Sequence, residues 1–317
     1  MNSSEITLSV VLPAYNEEEI INQSLSKINS VLTSINCTYE IIVVDDGSRD
    51  KTLEFLVQLQ TSISQLRVIK LDRNLGHMAA IAAGLEASIG QFVVTIDSDL
   101  QDPPEHIPEM LELISKNDGT GVKTEVVQAI RIDRTNDSRF KRSTAKLYYK
   151  LIKLITGVQA IPDAADYRIM SRRVVNTLAA LPEKRKIYRL LIPHLGFKTK
   201  TIGIKREKRS AGVSKYNLKV MFSLALNSMI SFTFRPLRLI GVVGFLFALI
   251  MLLLAIIYFI LFLTSSTVPG WTSLILLLLA SNAFLFSSIG LLGEYVGRIY
   301  QQTQNRPANL WIEIKRN

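Results

Sequence analysis

Four short apolar runs, at residues 8–12, 41–44, 67–71 and 92–96, alternate with stretches of helical periodicity at 18–32, 52–61 and 78–88. The runs are dense in Val, Ile and Leu, as strands covered on both faces are. This alternation predicts an α/β fold, a mostly parallel sheet flanked by helices, whose ligands bind beyond the carboxyl ends of the strands. The polar residues just past each run are therefore the first candidates for chemistry. They are Pro13, Tyr15 and Glu17 after the first, Asp45 and Asp46 after the second, Asp72 and Arg73 after the third, and Asp97, Asp99 and Gln101 after the fourth.

Asp97 and Asp99 flank Ser98, and Gln101 follows closely. Two carboxylates and an amide offer hard oxygen ligands, which suit Mg2+ or Mn2+ better than zinc, and such an ion characteristically bridges phosphate oxygens. Solvated turn residues are the simpler alternative, and the position at a strand end, beside Asp45 and Asp46 at another, favours the metal. No glycine-rich P-loop is present, and His77, His106 and His194 fit no zinc-binding spacing, so each is expected to be structural or exposed. Asp163, Asp166 and Arg168 form a second charged group, read either as facing a substrate or as a structural Asp–Arg pair. Residues 205–215, KREKRSAGVSK, gather positive charge around Gly212. Cationic side chains beside glycine approach phosphate closely, and lipid headgroups are the alternative partner.

The 317 residues include 37 Lys and Arg against 27 Asp and Glu, a net charge of +10. One cysteine, Cys37, excludes a disulfide framework. The N-terminus lacks the basic and apolar pattern of a secretory signal. Between 239 and 293 there is no Asp, Glu, Lys or Arg. A polar loop at 264–270 divides that stretch into 239–263 and 271–293, each long enough at ~1.5 Å per residue to cross a layer of roughly 30 Å. Arg235 and Arg238 precede the run, and Arg298 and Arg306 follow it. The positive-inside rule then predicts a multi-pass protein of the inner (cell) membrane with its catalytic domain cytoplasmic. Amphipathic periodicity at 139–158 and 216–234 predicts helices that rest on the lipid bilayer, with plain solvated amphipathic helices as the alternative, above all for the first. The expected organisation is a domain at 1–215, a juxtamembrane amphipathic helix at 216–235, a two-helix transmembrane hairpin at 236–297 and a cytoplasmic tail at 298–317. Positive charge grouped near the membrane-proximal segments argues against nucleic acid as partner.

Taken in order, VVLPAYNEE (10–18), EIIVVDDGSRD (40–50), RNLGHMAA (73–80), IDSDLQDPPE (96–105), DYRIMSRR (166–173) and RSAGVSKY (209–216) resemble the polyprenol-phosphate glycosyltransferases of glycosyltransferase family 2. The resemblance covers nearly the whole chain and includes the dolichol-phosphate mannose synthase and bactoprenol glucosyltransferase types. It implies a GT-A catalytic domain, a nucleotide-sugar donor and a polyprenyl phosphate acceptor, undecaprenyl phosphate in a bacterial cell envelope. By the same resemblance Pro13, Tyr15, Glu17, Asp45, Asp46 and Asp97 hold the nucleotide sugar, and Asp97, Asp99 and Gln101 the Mg2+ or Mn2+. Arg131, Arg209 and Lys215 face phosphates, and Asp166, with Asp163 as the second choice, serves the acceptor. The chain departs from the family at Ala165, where members often have Gly, and at His77, where they often have Lys or Gln. Family precedent and the amphipathic segments are compatible with a homo-oligomer.

The expected reaction is a one-step inverting transfer of a single sugar, glucose from UDP-glucose in the first instance. GDP-mannose and an aminoarabinose-type donor are the alternatives. A processive polysaccharide synthase would carry a Gln-x-x-Arg-Trp motif, and neither Trp271 nor Trp311 sits in one. An inert nucleotide- or lipid-binding scaffold would tolerate loss of the carboxylates, all of which are present.

Overall fold

The computed structural model describes residues 6–116, 123–132, 161–183, 186–205, 270–303 and 311–315, with scattered positions between 241 and 257. The segments at 139–158 and 216–234, together with Arg209 and Lys215, lie outside the described residues. The chain divides into two compact units, one made of 1–150, 158–215 and 306–317, the other of 151–157 and 216–305.

The first unit is built on one eight-stranded sheet ordered β7-β5-β6-β4-β1-β2-β3-β8. Its first half follows the sequence pattern closely. Strands β1 (Leu8–Ala14), β2 (Tyr39–Asp45), β3 (Leu66–Leu71) and β4 (Phe92–Thr95) alternate with helices α1 (Ile21–Thr33), α2 (Thr52–Ser62) and α3 (His77–Ala87). These four strands run parallel, with β1 between β2 and β4. Their continuous apolar character follows from cover on both faces: every residue of β1 is buried. Helix α1 turns Ile21, Leu25, Ile28 and Leu32 inward at helical spacing. Helix α3 approaches so closely that a Cβ at Gly84 would stand 2.3 Å from Val11 Cγ1.

The second half completes the sheet from β5 (Val126–Arg131), β6 (Ala164–Ser171) and β7 (Thr199–Ile204), with helices α4 (Ile107–Ser115), α5 (Arg172–Ala180) and α6 (Tyr188–His194). Strand β6 runs antiparallel to both β4 and β5. It carries a bulge: between the pairs Ala164 with Ile130 and Arg168 with Gln128, three residues of β6 face one of β5. The Gln128 amide fills the broken ladder by donating to the carbonyls of Ala165 and Tyr167 at 2.7 and 3.0 Å. Ser171 caps α5, its Oγ accepting from Val174 N.

Strand β8 (Trp311–Ile314), within the stretch expected to be a tail, pairs antiparallel with β3 and closes the sheet edge. Arg67 clamps it, donating from Nε and Nη2 to the two Glu313 oxygens at 2.7 and 2.9 Å, while Nη1 reaches Glu40 Oε2 at 2.6 Å. Glu40 is buried and also accepts from Ser9 Oγ and Ile89 N.

The described part of the second unit includes helix α7 (Trp271–Thr303). Among the described residues no helix is long and apolar enough to cross a membrane. This overturns the expected multi-pass placement in the inner membrane with a cytoplasmic catalytic domain. That expectation counted missing charges, and freedom from charge is a weaker condition than continuous apolarity. The run contains Ser281, Asn282 and Ser288, whose side chains donate to the carbonyls of Leu278, Leu278 and Phe284, and Glu294 and Arg298 follow within the same helix. The expected first span, 239–263, lies largely outside the described residues.

Removing Arg67 leaves Glu40 buried and short of its cation, whereas removing Glu313 takes away a partly exposed carboxylate. Arg67→Ala is expected to destabilise the protein by about 3 kcal/mol and Glu313→Ala by less than about 1 kcal/mol in urea unfolding. Equal losses would show that the edge strand, not the buried charge, dominates.

Candidate active site

Strands β1 to β4 end on one side of the sheet, so the loops that follow them meet there. They are tied together by backbone amides and short side chains. Asn16 N donates to Ser48 Oγ and Asn16 Oδ1 accepts from Arg49 N, joining the loops after β1 and β2. Glu17 N donates to Thr52 Oγ1 at 2.8 Å. Asp46 reaches the loop after β3, its Oδ1 accepting from Leu75 N at 2.7 Å and its Oδ2 from Gly76 N at 2.9 Å. Gly47 lets these loops close: at φ +70° it lies where a Cβ would stand 2.8 Å from the Arg73 and Asn74 backbone. Asp45, also buried, accepts from Ser48 N. Burial pushes both carboxyls up, and in each case hydrogen bonds from backbone amides partly oppose it. Pro13 ends β1, and Tyr15 beyond it is exposed.

The expected metal residues follow β4. Asp99 Oδ1 accepts from Gln101 N at 3.1 Å, a tight turn passing through Leu100 at φ +56°. Asp97 Oδ1 is fully buried with no hydrogen-bond partner, and His77 Nε2 stands 3.5 Å from it. Burial, only partly offset by His77 and reinforced by Asp166, Asp99 and Asp102, raises the Asp97 carboxyl to about 6. Among the described residues no group of three or more His, Cys, Asp or Glu side chains is arranged to hold a metal ion. Two aspartates and an amide do not need a third acid. Mg2+ commonly takes one or two carboxylates and completes its shell with water and substrate phosphates, and an unpartnered buried carboxylate oxygen fits such an ion.

Asp166 emerges from the β6 bulge. Its backbone carbonyl accepts from Thr95 Oγ1 at 2.7 Å. Its carboxylate is surrounded by cations: Arg168 Nη2 donates to Oδ1 at 2.6 Å, and Arg189 Nη2 and His77 Nε2 stand 3.6 and 3.8 Å from Oδ2. Burial alone would raise this carboxyl, but Arg168, Arg189, His77 and Arg131 together hold it below the ordinary carboxylate range. Asp163 stands in the turn before β6, at φ +59°, where its carbonyl accepts from Arg131 N. Arg131 itself is held by Asp102, with Nη2 to Oδ2 at 3.1 Å and Nε to Oδ1 at 3.4 Å. Ala165 is buried and absent from the positive-φ positions among the described residues, so no glycine is required there.

The structure thus brings together Asp97, Asp99, Gln101, Arg131 and Asp166, with Asp45 and Asp46 in the adjoining loops. His77 is exposed, as expected, and its Nε2 stands 3.5 Å from Asp97 Oδ1 and 3.8 Å from Asp166 Oδ2. Sequence reasoning also missed Asp102 and Arg189. Asp102 had a signal, lying one residue past Gln101. Arg189 had none, because it is distant in the chain from the other candidates and only the tertiary fold brings it to Asp166.

A mixed sheet of this order, with an acidic loop at the carboxyl end of its parallel half, defines a sugar-nucleotide-dependent transferase domain of the GT-A type. The chain belongs to glycosyl transferase family 2, whose family model matches residues 9–179. It is a glycosyltransferase that uses a nucleotide-sugar donor. It is 34% identical over 310 residues to the bactoprenol glucosyl transferase of Shigella phage SfX, covering 96% of this chain and 98% of that protein. Likeness to the uncharacterized glycosyltransferase YkcC of Bacillus subtilis is 35% over 306 residues, 96% of this chain and 93% of the other. Among solved structures, glucosyl-3-phosphoglycerate synthase from Mycobacterium tuberculosis, in complex with Mn2+, uridine diphosphate and glucosyl-3-phosphoglycerate, shares the fold. That match has a TM-score of 0.51 at 22% identity and covers 71% of this chain and 78% of that one.

The raised Asp97 carboxyl carries a stability consequence. Its folded form binds a proton more tightly than the unfolded chain does, so its contribution is full below about pH 4 and is lost as pH rises through about 6. In chelator-treated protein, Asp97→Asn is therefore expected to gain about 3 kcal/mol over wild type at pH 7 and nothing at pH 4. Urea midpoints across that range test this, and a pH-independent difference would refute it.

Proposed function

We propose that this protein transfers glucose from UDP-glucose to a polyprenyl phosphate, undecaprenyl phosphate in the first instance, with inversion at the anomeric carbon. The observation that carries the reading is the meeting of Asp97 and Asp166 at one imidazole, 3.5 and 3.8 Å from His77 Nε2. It sets a carboxylate lacking a hydrogen-bonded partner beside one ringed by cations, as a donor diphosphate and an anionic nucleophile would require. The near-full-length likeness to proteins named bactoprenol glucosyl transferase supports the choice of sugar and acceptor.

An oxygen of the acceptor phosphate attacks the anomeric carbon, the bond to the donor's diphosphate breaks, and the nucleoside diphosphate leaves with both electrons of that bond. A phosphate monoester has its second pKa near 6, so the nucleophile is largely dianionic at neutral pH and needs little help from a base. Asp166, held ionised by its neighbours, is a poor proton acceptor, and its role is to orient the cations that meet the acceptor. Asp163 shapes the turn that carries Arg131. Pro13, Tyr15, Glu17, Asp45 and Asp46 form the nucleoside end, Tyr15 offering an exposed ring for stacking on the base. Arg131, Arg209 and Lys215 serve phosphates. Asp97, Asp99 and Gln101 are suited to Mg2+ or Mn2+, which when bound offsets charge on the departing diphosphate.

The test supplies purified protein with UDP-glucose, GDP-mannose or an aminoarabinose donor, undecaprenyl phosphate and Mn2+ or Mg2+, and weighs the lipid product. One hexose added from UDP-glucose with β linkage, abolished by chelator, is expected. Asp99→Ala is expected to lower turnover by about 100-fold or more. Retained configuration, transfer only to water-soluble acceptors, or indifference to chelator would each refute the proposal.

A further inference from the structure

Arg189 takes part in neither the sheet nor the core. It opens the short helix α6, next to the buried Tyr188, and its side chain remains 39% exposed. Nearby Arg168 is at the opposite extreme, 2% exposed and bonded to Asp166 Oδ1. The two arginines therefore divide the carboxylate unequally. Arg168 neutralises it from inside the fold. Arg189 stands 3.6 Å from the other oxygen, too far for a hydrogen bond but close enough to be held in place electrostatically. No hydrogen bond from its guanidinium occurs among the described residues, so five N–H donors are fixed near the site with none committed. His77 Nε2 stands 3.8 Å from that same oxygen.

A cation that served only to balance Asp166 would sit in hydrogen-bond contact with it, as Arg168 does. A cation tethered at longer range, partly in solvent and with its fork free, is suited to capture an oxyanion that arrives from outside. Two phosphate-bearing substrates reach this site. The donor diphosphate belongs on the Asp97 side, where Asp97, Asp99 and Asp102 make the field negative until a cation is supplied. Arg189 instead stands against Asp166. From this placement, and resting on the reading that the acceptor is a prenyl phosphate monoester, we infer that Arg189 binds the acceptor's phosphate directly and sets the enzyme's preference for an anionic acceptor, with Asp166 as the residue that positions it.

The experiment compares wild type with Arg189→Ala, Arg189→Lys and a control, Arg173→Ala, whose side chain is 77% exposed and paired with Glu125 away from the site. Arg189→Ala is expected to raise KM for undecaprenyl phosphate on the order of tenfold or more, the loss typical of one charge-assisted contact. KM for UDP-glucose, and its slow hydrolysis without acceptor, should stay within about twofold. Arg189→Lys should recover part of the loss, and Arg173→Ala should match wild type. In parallel, farnesyl phosphate is titrated calorimetrically into the full chain saturated with UDP and Mn2+, which occupies the donor's phosphate position. Weakened farnesyl phosphate binding in Arg189→Ala alone supports the inference even if wild type proves to transfer no sugar to a prenyl phosphate, a result that would sink the proposed function instead. Unchanged acceptor KM and unchanged farnesyl phosphate binding, or an equal loss for donor and acceptor, would overturn it.

Discussion

Asp46 spends both carboxylate oxygens on the backbone, accepting from Leu75 N and Gly76 N. Those amides belong to the loop that becomes α3, so the acid at the end of β2 fixes where that helix begins. His77 is its first residue. The imidazole can stand beside Asp97 and Asp166 only because the loop before it is pinned from below and because Gly47 leaves room for its backbone. Buried acid with two short amide bonds is a rigid joint, since breaking either bond strands a desolvated oxygen. The site's geometry is thereby inherited from the parallel half of the sheet, and α3 is seated on that half by the close approach at Gly84.

The same joint places one ring nitrogen, His77 Nε2, beside two carboxylates of opposite character. Asp97 is partly buried near other acids, its Oδ1 shut off from solvent without a hydrogen-bonded partner, and its carboxyl is raised to about 6. Asp166 is less exposed still, yet Arg168, Arg189 and His77 hold its carboxyl below the ordinary range. Opposite perturbations at such short range separate the site electrostatically. One side is short of positive charge and draws in a cation together with the diphosphate it accompanies. The other has more positive charge than its single acid uses, and draws in an anion. Bringing a negatively charged nucleophile toward a negatively charged donor is the main electrostatic obstacle to the proposed reaction, and fixed charges arranged in advance lower it without reorganising during the step.

Strands β1 to β4 and their helices were legible because each strand is an uninterrupted apolar run and each helix a periodic one. The second half of the sheet was not. Strand β6, AADYRIMS, places Asp166 and Arg168 in its interior, and two charges in eight residues resemble a loop. They are tolerated because they pair with each other at a bulge, a long-range outcome that no local pattern announces. Strand β8 has four residues, and its hold on β3 comes from Arg67 and Glu313, far apart in the chain. Asp97, Asp99 and Asp166 were recognisable as chemistry from residue type and from position at strand ends. His77 fits no zinc-binding spacing, and its neighbours Asp97 and Asp166 lie beyond β4 and on β6, too distant in the chain for any local pattern to announce the cluster. The charge-free stretch at 239–293 predicted two spans, and among the described residues no helix is long and apolar enough to cross a membrane.

Backbone strain follows the same map. Among the described residues three non-glycine positions have positive φ: Asn16, Leu100 and Asp163. Each costs about 1–3 kcal/mol unless local bonds compensate, and each borders a different part of the site. Asn16 joins the loops of β1 and β2 through Ser48 and Arg49. Leu100 has the least excuse, since Asn and Asp tolerate the left-handed region better than a γ-branched side chain does. It is buried, and Gln101 N bonded to Asp99 holds the turn around it, so packing and one hydrogen bond together keep Asp97, Asp99 and Gln101 on a single tight bend. Asp163 takes the third such conformation one step before β6, with its carbonyl bonded to Arg131 N. The departure from family habit at Ala165 then has a simple physical reading. The turn's left-handed residue is Asp163, two places earlier, so Ala165 is free to lie buried in the strand while Asp166 next to it is aimed into the site.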